Sequence, residues 1–230
     1  MLGNPPGAIN AIMNLDELQQ RLESILIEHD DGSDGSHDVH HARRVFLNAK
    51  EIAGREGAAV DLRVLVAAAY LHDLVNLPKD SPRRAEASRL SADAARPILE
   101  GIGFSEAEVA ASQHAIVAHS FSAKVPPESI EAKILQDADR MEALGALGIA
   151  RTFYVAGKLS SALFHGDDPF ASDRPLDDSR FGVDHFRVKL LGLADTMQTE
   201  AGRQVAEERT SSMRRFLDDL AGEIGAQNPW

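Results

Sequence analysis

The run Val64-Leu65-Val66-Ala67-Ala68-Ala69-Tyr70-Leu71 is followed at once by His72-Asp73. A helix over Asp61 to about Val75 with so apolar a middle offers no polar face to water, so it has to be the central element of the fold, surrounded by others. Those others read as helices too. Leu15, Leu18, Leu22, Ile25 and Leu26 give Leu15–Glu28 one apolar face at helical spacing. Further helices are expected over His37–Arg55, with Ser36 as N-cap, over Arg83–Glu100 and over Ser105–Ser120. Another should run from Glu128 into the 140s or 150s, and two more over Val183–Thr199 and Gly202–Ile224.

Gly and Pro supply the punctuation. Asn76–Pro82 is a turn-rich link, Gly101-Ile-Gly103 separates two helices, and Pro126-Pro127 interrupts the chain. Gly166–Gly182 is too polar for core and too long for a simple turn, a length common in lids and binding segments. No alternating pattern of strand type and no internal repeat occurs. The expectation is an all-α, single-domain helical bundle: residues 1–14 as an N-terminal extension, 15–224 as the domain and 225–230 as a tail.

The 230 residues contain no cysteine, so any bound metal has to be held by His, Asp and Glu. No stretch approaches eighteen consecutive apolar residues, and Met1–Asn14 has neither the charged start nor the apolar run of a secretory signal, which predicts a cytoplasmic protein without membrane contact. The formal net charge of −12 opposes binding to nucleic-acid polymers. A small anionic substrate is compatible with it, because one divalent cation and a few cationic side chains reverse the sign locally.

Three segments carry chemistry. An imidazole and a carboxylate at His72-Asp73, set against an apolar run, are costly unless something neutralises or coordinates them. The bland alternative is a helix end, with His72 on carbonyls and Asp73 starting the turn. His37, His40 and His41 cluster at the start of a helix, with His37 and His41 on one face. Gln136-Asp137-Ala138-Asp139-Arg140 places two acids and an arginine in an otherwise apolar helix.

In order along the chain, His41, then His72-Asp73, then Asp139 resembles the H…HD…D signature of the HD superfamily of metal-dependent phosphohydrolases. The resemblance spans roughly Leu15 to Glu223. It includes Ala118-His119-Ser120-Phe121, Gly145-Ala146-Leu147-Gly148-Ile149-Ala150-Arg151, Asp168-Pro169-Phe170, Arg174-Pro175-Leu176-Asp177-Asp178, Asp184-His185-Phe186-x-x-Lys189-Leu190 and Met197-x-Thr199-x-x-Gly202-Arg203. It implies an HD-type bundle with His41, His72, Asp73 and Asp139 as ligands of one divalent ion. Mn²⁺ is favoured, with Fe²⁺, Ni²⁺, Co²⁺, Zn²⁺ and Mg²⁺ as alternatives. The subgroup it most resembles includes a manganese-dependent nucleoside triphosphate pyrophosphohydrolase, so the expected substrate is a nucleotide or another small phosphate ester or anhydride.

On that reading Asp73 and His119 are the catalytic candidates, and Arg44, His119, His185 and Lys189 the substrate-binding ones. His185 and Lys189 are expected on one helix face. Lys79 and Arg83 are further candidates for phosphate. Asp137 is expected to brace or cap a neighbour, Arg140 and Arg151 to pair with acids such as Asp137 or Glu142, and His114 to be structural or on the surface. Two other classes fit the sequence less completely. A nucleotide-sensing module would keep the metal without turnover, and a di-iron oxygenase would need two additional histidine ligands.

Overall fold

The computed structural model describes residues 13–29, 39–77, 81 and 83–230. His37, Asp38, Lys79 and the expected cap at Ser36 lie outside the described residues. Among those described, the secondary structure is helical, apart from one isolated bridge between Ala162 and Phe181. The all-α expectation therefore holds. The helices fall into two compact units, one drawn from Met1–Phe46 and Val60–Ala132, the other from Leu47–Ala59 and Lys133–Trp230.

The first unit contains α1 (Leu15–His29), the opening of α2 (Val39–Glu56), α3 (Leu62–Leu71), α4 (Ala87–Gly101) and α5 (Glu106–His119). Every residue from Val64 to Leu71 is buried, and α3 packs against α1, α4 and α5, so the apolar run is the central helix as its composition required. Asp61 caps α3, its carboxylate accepting from the Arg63 and Val64 amides. Ser105 and Glu108 form a reciprocal capping box on α5.

Helix α3 ends at Leu71, four residues short of the expected Val75. The reason is local. The His72 ring reaches back to the Ala69 carbonyl, and the chain turns through a Leu74 amide to Leu71 carbonyl bond of 3.3 Å. The expected helix at Arg83 likewise opens as a 3-10 turn, Arg84–Glu86, before α4 begins.

The second unit contains the rest of α2, most of α6 (Ile130–Arg140), then α7 (Gly145–Lys158), α8 (Asp184–Val188) and α9 (Glu200–Glu223). The helix expected from Glu128 onward is two helices. Arg140 leads into a 3-10 turn, Leu144 is extended, and Gly145 takes φ +68°, a conformation that ends any continuous helix. The helix expected over Val183–Thr199 is also broken, because Lys189 leaves the helical region at φ −133° and a 3-10 segment, Leu190–Thr196, follows. His185 and Lys189 therefore do not share a regular helical face, although the Lys189 amide still donates to the His185 carbonyl at 3.0 Å.

The Gly166–Gly182 stretch is tied down internally. Arg174 makes a two-pronged pair with the fully buried Asp184 at 2.6 and 2.8 Å, and the Asp177 amide donates to the same carboxylate. Asp168 accepts from the Ser172 and Asp173 amides, and the C-terminal Trp230 packs edge-on against the buried Phe170. The stretch is a hydrogen-bonded loop with the C-terminal Trp230 packed onto it.

Candidate metal centre

His41 lies in the first turn of α2 and His72 is the residue after the end of α3, so thirty-one positions of chain separate them. Both are buried, at 4% and 1% relative exposure. Their Nε2 atoms stand 3.2 Å apart. Asp73 Oδ2 is 3.5 Å from His72 Nε2 and 3.9 Å from His41 Nε2. The point equidistant from these three donors is about 2.1 Å from each, the usual length of a bond from a divalent first-row ion to imidazole nitrogen or carboxylate oxygen.

The ring orientation points the same way. His72 Nδ1 lies 2.9 Å from the Ala69 carbonyl, which can only accept, so Nδ1 carries a proton and Nε2 is turned toward His41 and Asp73. That nitrogen meets a second imidazole nitrogen and a carboxylate oxygen. A cation among these groups, or a proton on one ring nitrogen, lets them lie so close. The donor set therefore fits a divalent metal, and among the described residues His41, His72 and Asp73 form a three-donor group of that kind. The helix-end reading of His72 holds for Nδ1, which sits on the Ala69 carbonyl, and it leaves Nε2 on the side of His41 and Asp73.

His119, at the last turn of α5, joins this cluster. Its ring meets that of His72 edge-on at 4.8 Å, and its Nε2 is 3.7 Å from Asp73 Oδ1, the other oxygen of that carboxylate. Its Nδ1 is held on the Ile116 carbonyl at 2.6 Å, which turns Nε2 toward Asp73. His114 points elsewhere: its Nε2 accepts the Glu128 amide at 3.1 Å, a structural bond behind the Pro126-Pro127 break. Arg44, half-buried, is one turn beyond His41 on α2.

The first unit also holds a charged network that sequence reading missed. Glu23 of α1 accepts from Tyr70 Oη at 2.6 Å, from Arg43 at 2.8 Å and from Gln19 at 3.2 Å. Tyr70 precedes His72 by two residues and Arg43 follows His41 by two. The hydrogen bond from Arg43 outweighs desolvation and holds the Glu23 carboxyl down at about 2, while burial pushes the Tyr70 phenol upward. An acid on an amphipathic helix carries no signal in sequence that distinguishes such a role from a solvated one.

In the second unit, Asp139 occupies the last turn of α6 and is half-buried. Asp137 is fully buried and braces the start of α9, accepting the Gln198 amide at 2.7 Å, the Thr199 amide at 2.9 Å and the Thr199 hydroxyl at 2.8 Å. Burial still pushes its carboxyl upward against those bonds. A Cβ on residue 202 would lie 2.4 Å from Asp137 Oδ2, so the cap needs glycine there. Arg140 donates to the Thr196 carbonyl and feels the charges of Asp137 and Asp139. Arg151 lies 3.8 Å from Glu142. Of the phosphate candidates, His185 Nδ1 is 2.9 Å from Asp178 Oδ2, Lys189 is exposed, and Arg83 pairs with Glu86 at 2.8 Å.

A helical fold with two buried histidines and a partly exposed aspartate fits a metal-binding protein, and comparison with known proteins gives its family. Residues 38–144 match the HD domain. An uncharacterized protein, YpgQ of Bacillus subtilis, is 34% identical over 213 residues, covering 91% of this chain and 93% of that protein. The crystal structure of an HD-superfamily hydrolase from Bacillus thuringiensis superposes with a TM-score of 0.72 at 30% identity, covering 93% of this chain and 100% of the other. YpgQ in complex with ADP superposes with a TM-score of 0.65 at 32% identity, covering 91% and 94%. The chain belongs to the HD superfamily of metal-dependent phosphohydrolases.

Proposed function

We propose that the protein hydrolyses a nucleotide in a reaction that requires one divalent cation, converting a nucleoside or deoxynucleoside triphosphate to the monophosphate and diphosphate. The observation that carries the metal requirement is the triangle of His41 Nε2, His72 Nε2 and Asp73 Oδ2, with sides of 3.2, 3.5 and 3.9 Å. The order of the motif, rather than distance, nominates Asp139 as the fourth ligand. The nucleotide is suggested by the ADP bound to the related YpgQ and by the resemblance of the motifs to those of a pyrophosphohydrolase.

A divalent ion in such a site polarises a phosphoryl oxygen and lowers the pKa of a bound water; Mn²⁺ suits the mixed imidazole and carboxylate donors. The remaining work belongs to side chains. Asp73 presents Oδ2 to the two histidines and Oδ1 to His119, so a single carboxylate orders both the metal side and the acid side of the centre. With Nδ1 anchored on Ile116, His119 has only Nε2 with which to give a proton to a phosphate oxygen, so it is the general acid and a substrate contact. Arg44, His185 and Lys189 supply cationic contacts to the phosphates, offsetting a chain charge of −12.

The test is a screen of NTPs, dNTPs, NMPs and inorganic phosphate esters with Mn²⁺, Mg²⁺, Ni²⁺ and Co²⁺, with products separated by chromatography. Diphosphate with a monophosphate is the expected pair. Release of single phosphates would replace this reading with a phosphatase. Thermal stabilisation by nucleotides without turnover would replace it with a sensor.

A further inference from the structure

Side chains hold the carboxyl end of α6. A helix leaves its last four carbonyls without partners inside the helix. Here Asn48, 7% exposed, donates from Nδ2 to the Ala138 carbonyl at 3.1 Å, and its own Oδ1 accepts from Arg209 Nη2 at 2.7 Å. Arg209 Nη1 donates to the Met141 carbonyl at 3.2 Å, and Glu51 lies 3.9 Å from Nη2. The two carbonyls bracket Asp139, one residue before it and two after. The Arg209 stem runs close by Gly145, where a Cβ would come within 3.4 Å of it. A guanidinium at a helix carboxyl end is also favoured by the helix dipole.

We propose that Asn48 and Arg209 are positioning residues that fix the Asp139 carboxylate for metal binding. The inference rests on the reading of Asp139 as a ligand. Asp137 and Arg140 tie the same turn through Gln198, Thr199 and Thr196, so four residues around Asp139 are anchored, Ala138 and Met141 by their carbonyls and Asp137 and Arg140 by their side chains. Anchoring of that kind lowers the freedom the carboxylate loses on metal binding. It accounts for two polar side chains on α2 and α9 that face protein instead of solvent. Groups that orient a ligand in this way typically contribute about 10–100-fold to metal affinity.

The experiment is Mn²⁺ titration calorimetry on metal-stripped full-length protein, paired with the melting temperature of each metal-free variant. Arg209→Met and Asn48→Ala should bind Mn²⁺ about 10–100-fold more weakly, with Arg209→Lys intermediate because one ammonium can meet one carbonyl. Arg203→Met, which breaks only the surface pairs to Glu200 and Glu207, should retain wild-type affinity. Wild-type affinity in folded Arg209→Met overturns the proposal. Should Arg209→Met fail to fold, wild-type affinity in Arg209→Lys and Asn48→Ala together does the same. Asp139→Asn separates the two ideas. If it binds Mn²⁺ like wild type, the ligand assignment falls and this inference with it. If it loses the metal while the Asn48 and Arg209 variants keep it, only the positioning role is wrong.

Discussion

His41 Nε2 and His72 Nε2 meet at 3.2 Å although one begins α2 and the other follows the end of α3. Two imidazole nitrogens this close beside a carboxylate form a donor set suited to a cation, and the expected consequences of removing either the donors or the cation are distinct.

His72→Ala and Asp139→Ala should each abolish retention of the metal through purification while leaving far-ultraviolet circular dichroism close to wild type. His72→Ala removes one donor of the triangle together with the bond to Ala69; Asp139→Ala removes the acid proposed as the fourth ligand. Metal content by elemental analysis decides the matter. A full equivalent of metal in either variant would show that the site has been wrongly assigned.

Stripping the metal with a chelator should stop turnover and lower the melting temperature, because a ligand that binds only the folded chain adds about 2.7 kcal/mol at a free concentration one hundred times its Kd. Readdition of Mn²⁺ should restore both. Scanning calorimetry with and without metal is the check, and an unchanged transition would mean that no folded-state site exists.

Lys189→Ala should raise KM for the nucleotide several-fold with little loss of metal, as expected of an exposed cation that meets a phosphate. Steady-state kinetics beside metal analysis make the comparison. An unaltered KM would assign Lys189 to the solvated surface.

Glu23 gives a pH dependence with a definite sign. Its folded-state value of about 2 lies below the ordinary 4.5, so its stabilising contribution is complete above the unfolded value and disappears as pH falls from 4.5 toward 2. Glu23→Gln should destabilise the protein by roughly 1–3 kcal/mol at neutral pH, allowing for the partial exposure of Arg43, and should flatten the acid limb over that window. Urea unfolding at a series of pH values measures it; parallel acid limbs in the two proteins would contradict the network.

Asp137→Ala should cost about 2–4 kcal/mol, since it strands the buried Thr199 amide and hydroxyl and the Gln198 amide. Gly202→Ala should cost about 1–3 kcal/mol through overpacking, because its Cβ would press on the same carboxylate at 2.4 Å. Chemical denaturation of both variants and of the double variant should show that the losses are not additive. Simple additivity would mean that the two residues do not act on one contact.

Residue types and their spacing determined a good deal. The apolar run Val64–Leu71 dictated a buried central helix, the lack of cysteine left only nitrogen and oxygen ligands, and the ordered His41, His72-Asp73 and Asp139 pointed to the HD family. Periodicity is local, so it reports which face of a helix is apolar. It does not report where a helix stops when a tertiary contact or a single backbone angle decides, as His72 does at Ala69 and Gly145 at φ +68°. Only the fold could bring His119 against Asp73, send His114 to the Glu128 amide, sink Glu23 beneath Tyr70 and set Asn48 and Arg209 on the carbonyls around Asp139. Those pairings join residues far apart in the chain, and a hydrogen bond depends on distances of a few tenths of an ångström that no one-dimensional pattern encodes.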